Sequence, residues 1–166
     1  MPLPGGQLPL ATIGPALAER PNEQEEAVVP SIIDDIPESH RDLLASPLTA
    51  TLTTLDGKGR PQSTAVWYLL DDDGSLKGSI TDDRQKYKNL SRNPNCALFI
   101  IDPTNPWRTL EIRAEAQLTA DPDKATVSKF AKLYQVDEAM LKASGQNRYT
   151  VTYRPRHVVA NPPPQQ

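Results

Sequence analysis

The chain has 166 residues and carries 18 Lys and Arg against 21 Asp and Glu, a formal net charge of −3. That balance argues against general binding to nucleic acid or to an anionic membrane surface. No apolar run approaches the 18 or so residues of a membrane-spanning helix, and Met1-Pro2-Leu3-Pro4-Gly5-Gly6 lacks the charged start and apolar core of a signal peptide, so the cytoplasm is the expected compartment.

Ten of the 17 prolines lie in residues 1–37 or 162–164. An extended or flexible arm is therefore expected over 1–35, one folded domain over 36–160 and a short tail over 161–166. A domain of about 125 residues buries roughly two-thirds of its unfolded surface, enough to fold without disulfide or metal. Pro37 to Leu44 fits a short helix with proline in its first turn, and His40 would lie on its surface. Leu48 to Leu55 alternates and is rich in β-branched threonine, the pattern of a half-buried strand. Asp56-Gly57-Lys58-Gly59 supplies hairpin-turn chemistry, and Gln62 to Leu70 returns as a second strand. On it, Gln62, Thr64, Val66 and Tyr68 share one face and Ser63, Ala65, Trp67 and Leu69 the other. After the turn at Asp71-Asp72-Asp73-Gly74, Ser75 to Ile80 forms a third strand.

The next segment is the chemically distinctive one. Between Thr81 and Pro94, Arg84, Lys86, Lys88 and Arg92 place four cations within nine residues of an acidic chain. Thr81 suits a helix N-cap, Asp82 and Asp83 the first turn, and Pro94 the end. Cations near the positive end of a helix dipole cost roughly 0.3 to 1 kcal/mol each. A bound phosphate or carboxylate would offset that cost; a solvated helix with its cations partly neutralised by Asp82 and Asp83 is the alternative.

Cys96 to Ile101 then reads as a strand buried on both faces, with Cys96 a structural thiol. Asp102 to Pro106 is a loop, and Trp107 to Thr119 alternates strictly as a long fifth strand. Asp121 and Pro122 suit the start of a helix carrying Val127, Phe130, Ala131 and Tyr134 at helical spacing, and Asp137 to Ala143 is a second helical stretch. Arg148 to Tyr153 and His157 to Ala160 supply the last strand or pair, interrupted by Pro155. The sum is a mainly β fold with α: six or seven antiparallel strands, a short basic helix and a late helical hairpin, favouring a closed or nearly closed barrel. The two histidines, His40 and His157, are far apart, so no metal site is expected, and no serine-histidine-acid set or other nucleophile motif is present.

Three segments carry a resemblance: Asp56 to Ser63 at the first hairpin, Asp83 to Leu90 followed by Arg92-Asn93-Pro94, and Leu110 to Leu118. In order and spacing they resemble the split β-barrel flavin and deazaflavin oxidoreductases that include pyridoxamine 5'-phosphate oxidase, most closely the F420-dependent branch. The resemblance spans roughly Ile36 to Ala160. It implies a homodimer with cofactor sites at the subunit seam and coenzyme F420 as cofactor, with FMN the alternative. By the same resemblance Arg84, Lys86 and Lys88 would meet the cofactor phosphate. Gln62, Ser63, Thr64, Ser79, Ile80 and Thr81 would line the ring, and Trp107 would cover it from the other subunit. Spacing sets Arg84, Lys88 and Arg92 on one side of a helix and Lys86 roughly opposite. Arg84 and Lys86 would therefore act from an irregular first turn, and Arg92 from the surface or an ion pair.

The implied activity is hydride transfer to an unsaturated or conjugated small molecule, which requires no protein nucleophile; no catalytic residue is assigned. A noncatalytic cofactor or haem carrier is the competing reading, although neither His40 nor His157 has the context of an axial ligand. Ala114 stands where the family often has glycine.

Overall fold

The computed structural model describes residues 31–143 and 145–162; most of the expected N-terminal arm lies outside them. Strands β1 (Thr49–Leu55), β2 (Pro61–Trp67), β3 (Leu69–Leu70), β4 (Leu76–Thr81), β5 (Asn95–Asp102), β6 (Asn105–Ala120) and β7 (Arg148–Asn161) form one sheet. Its order is β2-β1-β5-β6-β7-β4-β3, and every pairing is antiparallel. Helix α1 (Arg41–Ala45) precedes the sheet, α2 (Gln85–Arg92) joins β4 to β5, and α3 (Ala125–Tyr134) and α4 (Glu138–Lys142) lie between β6 and β7. Among the described residues no helix is long and apolar enough to cross a membrane.

The alternation of β1 resolves as expected, with Ala50, Leu52 and Thr54 inward. They meet Leu98, Ile100, Leu110, Ile112, Val151 and Tyr153 in one continuous core. Covalent geometry dictates the curvature of this sheet. The expected single strand from Gln62 to Leu70 is broken at Tyr68, and its two halves, β2 and β3, sit on opposite edges of the sheet. Two peptide units span at most about 7 Å, so the edges must meet at Trp67 and Leu69. The result is a curled half-barrel.

Tyr134 of α3 satisfies the corner. Its hydroxyl accepts from the Tyr68 amide at 3.1 Å and lies 2.7 Å from the Leu48 carbonyl and 2.9 Å from the Tyr68 carbonyl. Its ring stacks on Trp67 with centroids 4.4 Å apart. The Tyr68 ring is fully buried, and its hydroxyl donates to the Leu43 carbonyl of α1.

Five expectations are corrected. The first concerns His40, which is buried and not on the surface. Its Nε2 donates to the Asn161 carbonyl at 3.1 Å and its Nδ1 lies 2.9 Å from the Ser39 hydroxyl. A 3-10 turn over Glu38–His40 aims it inward ahead of α1. Second, the folded unit begins before Ile36, since Ile32 is buried and its amide donates to the Gly74 carbonyl. Gly74 has φ 78, and a Cβ there would lie 2.5 Å from the Ser31 hydroxyl, so glycine is required at that contact.

Third, the loop after β5 is only Pro103 and Thr104, because Asp102 pairs with Asn105. Fourth, β7 runs unbroken: it bulges where Arg113 faces His157 and Ala114 faces Pro155, so the proline is accommodated by an irregularity in the ladder. Fifth, α3 starts at Ala125. Asp121 still caps it from four residues upstream, its carboxylate accepting from the Ala125 and Thr126 amides.

An ion cluster ties α3 to the β3–β4 turn, with Lys77 and Lys129 each placing Nζ 2.5 Å from a different oxygen of Asp71. Burial by itself would raise the Asp71 carboxyl, but hydrogen bonds from Lys129 and Lys77 outweigh it and hold the group below the ordinary carboxylate value. A depressed folded value contributes stability that is present above about pH 4 and lost as pH falls through it. Asp71→Asn should therefore lower stability at pH 7, and urea unfolding at pH 7 and pH 3 should show a smaller acid-induced loss than in the parent. Tyr134→Phe keeps the stack but strands the Tyr68 amide; it should cost about 1 to 3 kcal/mol, read as a lower urea midpoint at unchanged slope.

Candidate functional site

Away from the Tyr68 corner the edges of the half-barrel separate. β2 pairs only with β1, and β4 beyond Lys77 pairs only with β7, so a split opens between the two strands. The register sets Gln62, Thr64 and Val66 opposite Thr54, Leu52 and Ala50, on the inward face of β2. No strand covers that face among the described residues. Helix α2 does so at one end, and α3 with α4 flanks the other.

Asn89 fastens α2 to the sheet. It is fully buried, and its Nδ2 donates to Thr54 Oγ1 at 3.0 Å and to Gln62 Oε1 at 2.9 Å. Its Oδ1 accepts from Gln85 Nε2 and Arg92 Nη2, both at 2.9 Å. Every polar atom of this side chain is thereby engaged, which fixes the height of the helix N-terminus over β2.

Thr81 is not the N-cap expected from the sequence. It pairs with Arg148 as the last residue of β4, and its hydroxyl donates to the Asp83 carboxylate instead of accepting from a helix amide. Asp82 donates its amide to the Asn147 carbonyl. The N-cap is Arg84, extended and without a side-chain cap bond, so among the described residues the Gln85 and Lys86 amides have no hydrogen-bond acceptor. Of the irregular first turn expected for Arg84 and Lys86, Arg84 is extended ahead of the helix, whereas Lys86 is already the second residue of the regular α2.

Lys86 turns inward over β2, with Nζ 3.4 Å from Thr64 Oγ1. Burial and then the Arg84 charge pull its ammonium below the ordinary lysine value. Arg84 is largely exposed, 3.9 Å from Asp83. Across the split, Arg148 donates from Nη2 to the Leu141 carbonyl at 3.0 Å and from Nη1 to Ser79 Oγ at 3.4 Å. Its Nε is buried with no partner among the described residues. Burial, and then Arg84, lower its guanidinium value too; Asp121 and Asp83 oppose that effect without forming an ion pair with it. Lys86 and Arg148 line one cavity of about 200 Å³ with Ser79, β2 residues Ala65 to Trp67, and Val127, Phe130 and Leu141 of the helical hairpin. Two cations facing one cavity without a carboxylate partner among the described residues have the chemistry to hold an anion.

The remaining sequence candidates are dispersed. Gln62 has its carbonyl occupied by Asn89, leaving its amide group for a ligand. Ser63 lies on the outward face, 2.8 Å from the Thr53 hydroxyl. Ile80 is buried in the core, so only its backbone is available to the split. Lys88 is exposed. Trp107 is 80% exposed, near the β5–β6 hairpin. Ala114 lies level with Thr54, where α2 docks, and Trp107 is seven residues along β6, roughly 23 Å at about 3.3 Å per residue. It does not join the α2 cations within one chain. Ala114 itself is a core methyl beside the bulge.

Arg148 and Asn89 were not legible as site residues. Arg148 reads as the start of a strand, and its register opposite Thr81 joins positions 67 residues apart.

The pyridoxamine 5'-phosphate oxidase family model matches residues 36–157. The chain belongs to this family. Among solved structures, one titled F420 Reductase has 34% identity and a TM-score of 0.69, covering 75% of this chain and 98% of its own. A conserved hypothetical protein from Mycobacterium tuberculosis has 22% identity and a TM-score of 0.62, covering 83% and 89%. The haem storage protein HutZ from Vibrio cholerae has 16% identity and a TM-score of 0.61, covering 74% and 92%. At those identities the last two share the fold alone. No curated protein matches the sequence.

Asn89→Ala should cost about 1 to 3 kcal/mol in urea unfolding, because Thr54 and Gln62 lose a buried partner. It should also weaken binding of inorganic phosphate, measured by calorimetry, more than Lys88→Ala does.

Proposed function

We propose that this family member is an oxidoreductase that uses coenzyme F420 for hydride transfer to an unsaturated small molecule. The observation that carries the reading is the cationic first turn of α2. Arg84, Lys86 and the free Gln85 and Lys86 amides converge beside the uncovered face of β2, and no carboxylate neutralises Lys86 among the described residues. The 34% identity to the structure titled F420 Reductase supports the choice of cofactor.

The residues present fit such a group. Arg84 and Lys86 would hold its phosphate, with Lys88 adding long-range attraction. The Gln62 amide, Ser63, Thr64 and the β4 end from Ser79 through the Ile80 backbone to Thr81 would border its ring. When bound, the deazaflavin supplies the hydride chemistry; this chain binds, orients and excludes water. FMN is the second reading, favoured by the family match, since its phosphate would meet the same cations. Haem carriage gains nothing from the histidines: both His40 ring nitrogens are engaged, and His157 is exposed.

A second copy of the chain completes the site in this reading. Phe99, Ile101 and Val159 are 38%, 46% and 39% exposed on the outer face, and Phe99 and Val159 flank Glu111 in register. Burying these side chains removes apolar surface from water and brings the exposed Trp107 to a neighbouring subunit's split.

Titration with F420 should show binding that Arg84→Ala with Lys86→Ala weakens at least tenfold at unchanged Tm; undiminished affinity would return the segment to a solvated helix. Ligand released from protein made in a host containing both cofactors should show the deazaflavin spectrum, and a flavin spectrum would select FMN. Sedimentation should give a dimer that Phe99→Glu with Ile101→Glu dissociates.

A further inference from the structure

Arg148 is left over when the first turn of α2 is assigned to a phosphate. Arg84 and Lys86 meet that group from the helix side, whereas Arg148 approaches from β7 across the split. Two of its five N–H groups are used, on Leu141 and Ser79, and its buried Nε still lacks an acceptor among the described residues. Arg148 is half-buried, and the N–H groups left on its Nη1 and Nη2 can take a carboxylate, which accepts parallel N–H bonds.

Lys86 and Ser79 share the cavity with Arg148, and the remaining lining is apolar and partly aromatic. Val66, Trp67, Val127, Phe130 and Leu141 contribute to it, and the Tyr134 stack holds the Trp67 ring in place. The volume of about 200 Å³ is below the roughly 300–1,000 Å³ of pockets for drug-sized ligands. It suits a small acid, or the acid end of a longer one. We infer that this cavity binds a flat, apolar carboxylate through Arg148, and that an unsaturated carboxylic acid is the substrate class. The binding site stands on the cavity alone; its role as the substrate site rests on the oxidoreductase reading above.

The probes are cinnamate and its neutral amide, cinnamamide, titrated into the full chain without cofactor and read by calorimetry and tryptophan fluorescence. Cinnamate should quench a signal that Trp67→Phe removes and should bind at least tenfold more tightly than the amide. Arg148→Gln should reduce cinnamate to the level of the amide and leave the amide unchanged, while Arg148→Lys should recover part of the difference. Equal affinity for acid and amide, binding of neither, or unchanged cinnamate affinity in Arg148→Gln would overturn the inference. Should Arg148→Gln not fold, the acid-against-amide comparison in the unaltered chain decides. F420 and cinnamate should bind together, and displacement of cinnamate by F420 or by inorganic phosphate would overturn the assignment by giving Arg148 to the cofactor. Failure of F420 and FMN to bind would remove the cofactor reading while the cinnamate result still stood.

Discussion

One residue joins the two edges of the sheet. Trp67 ends an edge strand, Leu69 begins the strand at the opposite edge, and only Tyr68 lies between them. A seven-stranded sheet with that connection cannot stay open, because two peptide units reach only about 7 Å. The corner would expose a backbone amide and carbonyl to the interior, and the Tyr134 hydroxyl serves both. The Tyr68 side chain meanwhile locks α1 against the barrel. Local hydrogen bonding, sheet curvature and the position of the helical hairpin thus follow from a single edge-to-edge crossing, in which β2 and β3 run in the same direction.

The same corner creates the site. Strands held together at one point and carried on different neighbours must diverge, and the split between β2 and β4 is that divergence. The chain leaves β4 directly into α2, so the helix N-terminus is delivered to the rim of the opening, and Asn89 sets its height by bonding to both β1 and β2. Arg148 follows from the pairing of β7 with β4. Cations from two elements face one cavity because both elements flank β4, and the low polarity of the cavity walls makes an anion there worth more than it would be at the surface.

Much of the fold was legible. Alternation located β1 and β6, an apolar run located β5, turn chemistry located the first two hairpins, and helical spacing found the apolar face of α3; β5 proves to alternate, with Phe99 and Ile101 exposed and not buried on both faces as expected. Three of the errors share a cause: a distant partner or the ladder outweighed a local preference. Thr81 is a good N-cap by residue type, yet ladder pairing with Arg148 holds it in a strand. His40 is polar and helical in pattern, yet the Asn161 carbonyl draws it into the interior. Pro155 signals an interruption, which a bulge absorbs within one continuous strand. In the site, the α2 cations stood out because their clustering is local. Asn89 and Arg148 did not, since an asparagine within a helix and an arginine opening a strand are ordinary until their neighbours are known.

The sequence by itself determined the family, the mainly β architecture with its basic helix, and the presence of an unusual cation cluster, since strand period, turn residues and charge density are properties of contiguous residues. Tertiary structure alone decided which cations face one another, that Lys86 turns inward while Lys88 stays in solvent, and that Arg148 opposes them. The physical reason is that opposed cations act at short range in a low-dielectric space, and in this chain that space is enclosed by segments far apart in sequence, joined by antiparallel register and by the edge-to-edge crossing at Tyr68.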